Sequence, residues 1–83
     1  MNKLEQLKAE KEILEEGIDL QKAYIETNEI NLSNANKLNS QYLMYLYTRQ
    51  SRTLKETLKG LKKHLIQKIA DIVVYVCNHD HEA

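Results

Sequence analysis

Along the first thirty residues apolar side chains recur at alternating steps of three and four. Leu4, Leu7, Leu14, Ile18, Ile25 and Leu32 form the row, with Lys11, Gln21 and Asn28 as its polar members. This is the a and d spacing of a helix that buries one face against another helix. A second apolar row, Ile13, Leu20, Tyr24 and Ile30, lies beside the first. Two adjacent rows make a face wide enough to touch more than one neighbour, which favours a bundle over a two-stranded zipper. Asn2, three residues before Glu5, has the form of a capping box and sets the start of this helix. The first helix is therefore expected over about 2–31.

A different frame governs the second half. Met44, Tyr47, Leu54, Leu58, Leu61, Leu65 and Ile72 keep a and d spacing, and Ile66, Ile69, Val73 and Val76 widen the face toward its end. The spacing predicts a helix over about 40–78. Gly60 falls inside it, at a cost of roughly 1 kcal/mol relative to Ala, and is read as the mark of a close crossing. The run from Ile72 to Val76 is apolar all round and β-branched, a local preference for strand, but a lone strand has nothing to pair with. It is read as helix, and as the first choice for a partner-binding element, because an exposed patch of this kind marks an interface or causes aggregation.

Between the two frames, residues 31–40 concentrate Asn and Ser, which compete for backbone hydrogen bonds and favour caps and turns. The hairpin turn is expected at about 32–39. No Gly or Pro forces a break there, and the first frame can be continued through Leu32, Ala35, Tyr42 and Leu46, so one long helix stays open as the alternative. Residues 79–83 are expected to form a mobile tail. The fold class that follows is all-α: an antiparallel two-helix hairpin, coiled-coil-like, completing a bundle by oligomerisation or with a partner.

Composition supports this and narrows the function. The 83 residues contain no Pro, no Trp and no Phe, and only two Gly, which suits long helices. A chain of this length builds a small core and is expected to need a second chain. Disulfides do not supply that help, because Cys77 is the only cysteine, and a reducing compartment fits best. With no apolar run approaching the ~20 residues of a membrane span, the chain is expected to be soluble and cytoplasmic. Net charge is zero, yet residues 1–30 hold eight acidic side chains against four Lys, and residues 31–70 hold eight basic ones against Glu56 alone. Folded back antiparallel or paired across a dimer, the halves attract.

Candidate chemistry is sparse. Cys77, His79 and His81 alternate at the C-terminal end, so an extended tail would turn all three to one side with ligands suited to zinc or nickel. A structural site needs a fourth ligand and a fixed second shell, so no metal is expected. There is no Gly-rich phosphate loop and no nucleophile paired with a base, and a helical hairpin lacks a concave substrate site; neither catalysis nor a cofactor is expected. The rival binding surface is basic: Arg49, Arg52, Lys55, Lys59, Lys62 and Lys63, preceded by Tyr42, Tyr45 and Tyr47, offer phosphate contacts and stacking rings to nucleic acid. The acidic first helix would neutralise that stripe, so a solvated or intramolecularly paired face is the favoured reading. The expected partner or oligomer seam comprises Leu14, Ile18, Ile25, Leu54 and Leu58, continuing through Leu61, Leu65, Ile69, Ile72 and Val76.

The opening Met1-Asn2-Lys3-Leu4-Glu5-Gln6-Leu7, the hairpin layout and the apolar end from Ile69 to Val76 together resemble the small co-chaperones of type III secretion needle subunits. The resemblance implies a cytoplasmic hairpin that pairs with a larger helical-repeat chaperone, the pair keeping a needle subunit unpolymerised. The chain departs from that pattern in its length and His-containing tail. Small helical regulators of tailed phages, which bind and redirect a host or phage protein, share the same generic features.

Overall fold

The computed structural model describes residues 2–80, which form two helices, α1 (Lys3–Lys37) and α2 (Gln41–Asp80), folded back on each other. The particle measures 65 × 17 × 13 Å, the size of two helices side by side. Hairpin and all-α class are as the hydrophobic frames predict, and the single-helix alternative is excluded. The Ile72–Val76 run is helical. Its neighbours along the chain carry the helix through it, and no strand exists among the described residues for it to join.

At the start of α1, the Glu5 backbone N–H donates to Asn2 Oδ1 at 2.8 Å, the cap expected from the sequence. At the other end, α1 runs six residues past the expected limit of 31, through the Asn and Ser cluster to Lys37. The reason is burial. Ala35 is 1 % exposed and Leu32 half-buried against α2, and extending the seam by another turn outweighs the weak preference of Asn and Ser for turns.

The reversal then takes only three residues. Asn39 adopts a left-handed φ of 56°. Its N–H donates to Asn36 O at 3.0 Å and that of Ser40 to Ala35 O at 3.1 Å, the paired bonds of a Schellman motif with Asn where Gly is usual. Ser40 closes the turn and opens the next helix, its Oγ accepting from the Leu43 N–H at 3.3 Å.

Leu4, Leu7, Leu14, Ile18, Ile25 and Leu32 of α1 face Met44, Tyr47, Leu54, Leu58, Leu61, Leu65 and Ile72 of α2, all buried or half-buried. Among the described residues only Leu7, Ile18 and Ala35 are buried apolar residues, because two helices shield a single row and leave its edges open to solvent. Register is set by polar members of the same row. Asn28, 5 % exposed, donates from Nδ2 to Tyr47 O at 2.8 Å, and Gln21, one heptad away, donates from Nε2 to Leu54 O at 3.0 Å. A slip along the seam would strand both amides among apolar side chains.

Candidate functional site

Of the residues assigned to a partner seam, Leu14, Ile18, Ile25, Leu54, Leu58, Leu61, Leu65 and Ile72 close the hairpin itself. Ile69 and Val76 remain on the surface, 41 % and 38 % exposed. The surfaces left for function are the two flanks of the hairpin, one on each side of the shared seam.

The first flank is charged. On α1 it carries Glu5, Glu12, Asp19 and Glu26 at heptad steps, with Glu15 and Glu29 beside them. On α2 it carries a row that changes character halfway. Arg52, Lys55, Lys59 and Lys62 continue in the same steps of three and four into Ile66, Ile69, Val73 and Val76. The basic stripe and the C-terminal apolar widening, separate features in the sequence, are thus one row. In its basic half Lys55 reaches Glu29 across the hairpin at 3.5 Å, so the acidic helix neutralises part of the stripe as expected. Arg49 and Lys63 stand on the outer side of α2, and Tyr42 and Tyr45 are exposed near the turn.

The apolar half lies at the open end, where the chain termini meet. There a shallow groove runs between the helices, floored by Ile69, Ile72 and Val73 and walled by Lys8, Glu12 and Glu15. Ile66 and Val73 are 68 % and 54 % exposed.

The second flank holds the other apolar row of α1, and Ile13, Leu20 and Tyr24 are exposed on it. At its open end Glu10 accepts a hydrogen bond from Lys68, a seam lysine of α2, in a part-buried pair. That bond holds the Glu10 carboxyl below its ordinary value of 4.5, with burial opposing it. The sequence does not announce the pair: Lys68 reads as one more surface base, and only the antiparallel register brings Glu10 to it.

Gly60 does not mark a close crossing inside the hairpin, since nothing lies within 4 Å of where its Cβ would stand. The same is true of Gly17. The proposed ligand triplet also fails to assemble as an extended strand. Cys77 and His79 belong to α2, where residues two apart do not share a face, and the His79 ring stacks on Tyr75 at 3.8 Å. His79 and Asp80 extend the helix beyond the expected limit of 78, so they are not part of a mobile tail; His81 and the rest of that tail lie outside the described residues. No described helix is long and apolar enough to cross a membrane.

No protein-family model, curated protein or solved structure matches this chain.

Proposed function

We propose that the chain is a small non-enzymatic adaptor or chaperone-like regulator that holds an amphipathic helix of another protein in the open-end groove. The observation that carries this is the exposed apolar row Ile66, Ile69, Val73 and Val76 along a groove with charged walls. An apolar floor with a polar rim is the anatomy of a protein-binding surface, and a groove between helices fits a helix laid along it. The walls are mainly acidic, which favours a client helix with basic edges. The resemblance to needle-subunit co-chaperones implies pairing with a larger helical-repeat chaperone, and a cytoplasmic protein of that kind, with the chaperone supplying the helix, is the finer form of the proposal.

The test is a photo-crosslinking amino acid placed at Ile69 in the full chain in cells, with a second chain carrying it at Thr48 near the turn. A discrete adduct with one other protein from position 69 and none from position 48 is the expected result. Crosslinks that are absent, or that go to nucleic acid through the adjoining basic half, would overturn the reading.

A further inference from the structure

We infer that the second flank is a self-association surface, on which α1 of one copy lies against α2 of another to complete a four-helix bundle. This inference stands apart from the open-end groove, which is on the other side of the molecule.

The flank differs from the rest of the surface in that its middle carries no charge of its own, Arg49 and Lys63 standing only at its outer edge and the Glu10–Lys68 pair at its open end. Over residues 13–34 of α1 and 43–67 of α2, the positions that point this way include no Asp, Glu, Lys or Arg, although the chain has 24 such residues. Its α1 half is raised: Ile13, Leu20 and Tyr24 are 66 %, 53 % and 52 % exposed. Its α2 half is lower at Thr53, Thr57 and Gly60, which stand between the longer Gln50 and His64. Shallow hollows open there, one beside Gly60, His64 and Gln67 with Lys63 at its edge, and another beside Leu46, Gln50 and Thr53 with Arg49 at its edge. Knobs on one helix and hollows on the other make the flank complementary to itself, as a two-fold interface requires.

The heights agree. Counting one heptad on from the Gln21–Leu54 bond sets Leu14 opposite Leu61, so the Gly60 hollow lies at the level of Ile13 and Gly17, and the Thr53 hollow at that of Tyr24. With the two-fold axis along the hairpin, Ile13 and Tyr24 of each copy face the hollows of the other. Both glycines fall on this flank at one level, and neither is needed for packing within the hairpin. The flank is 17 Å wide and about 30 Å long, a flat footprint of roughly 500 Å² that side-chain relief enlarges toward the ~800 Å² per partner of a stable complex.

Charge chooses both the occupant and its orientation. The acidic α1 and basic α2 alternate around the ring if α1 sits over the partner's α2, and Glu16 and the partner's Lys63 border the contact about one helical turn apart in height. The opposite arrangement, α1 over α1, sets acidic helices together.

Sedimentation equilibrium of the full chain under reducing conditions is expected to give twice 9.7 kDa. Leu20→Glu is expected to weaken the dimer about a hundredfold by burying an unpaired charge, while Ile69→Glu on the charged flank leaves it intact. Gly60→Leu guards against mere unfolding: it meets open space within the hairpin, so helicity is kept or rises while the dimer weakens. Orientation is read in a Cys77→Ser background, where chains with Leu20→Cys and Thr57→Cys are expected to form mixed disulfides when combined. A monomer, a dimer lost with Ile69→Glu but kept with Leu20→Glu, or Leu20→Cys chains that link only to each other would overturn the inference, leaving the groove reading to its own test.

Discussion

The two flanks are made by the same pair of helices around the same seam, yet one is lined with ionised side chains and the other has none over most of its length. On the charged flank, Lys55 and Glu29 meet at 3.5 Å and the apolar surface is confined to the open end. On the uncharged flank Ile13, Leu20 and Tyr24 are accompanied by Leu43, Leu46, the two Gly and uncharged Thr, Gln, Asn and His. Apolar exposure alone does not tell the two apart, since both carry large exposed residues. The polar company does: ionised walls suit a groove that is open to water until a client arrives, whereas an uncharged strip along a thin hairpin suits permanent cover.

The comparison breaks most completely at the seam that both flanks share. Ile18 is 6 % exposed, and Ile18→Asp places an uncompensated charge there, at an expected cost of about 3–5 kcal/mol. Circular dichroism is expected to show loss of most helicity, and both surfaces go with it. Retained helicity would mean that the flanks do not depend on this seam.

A smaller effect tests what aligns them. Asn28→Ala removes the bond to Tyr47 O and is expected to cost about 1–2 kcal/mol in urea unfolding, whereas Asn28→Leu keeps helicity and loosens register. If loosening register left self-association untouched, the height matching of Gly60 with Ile13 would lose its meaning.

The smallest effect is at the border of the uncharged flank. Glu10 has its folded value depressed by Lys68, so its contribution is fully present above its ordinary 4.5 and is lost as pH falls through the lower folded value. Acid titration of thermal midpoints is expected to show a shallow loss below pH 4.5 that Lys68→Met removes.

Much of this architecture is legible in the chain because helical period is local. The rows through Leu4 to Leu32 and Met44 to Ile72 by themselves specify two helices and their contact faces. The end of α1 was less legible. Asn and Ser favour a turn by local chemistry, and only the burial of Ala35, which depends on α2 being there, extends the helix to Lys37. The turn also uses Asn39 in the left-handed region, where the sequence offers no Gly to announce it.

The candidate surfaces were legible as lists of residues and not as surfaces. That Lys62 and Ile66 share a row follows from helical spacing, but whether that row faces the acids of α1 requires the rotation of both helices about the seam. Likewise, Gly17 and Gly60 are forty-odd residues apart in sequence and acquire a common level only through the Gln21 and Asn28 bonds.

Small-angle X-ray scattering with an accompanying light-scattering mass tests the central claim, that a second copy lies alongside the uncharged flank. The account predicts a mass twice 9.7 kDa in a particle whose long dimension stays near 65 Å. A monomer, or a dimer markedly longer than 65 Å because the copies join at their open ends, would contradict it.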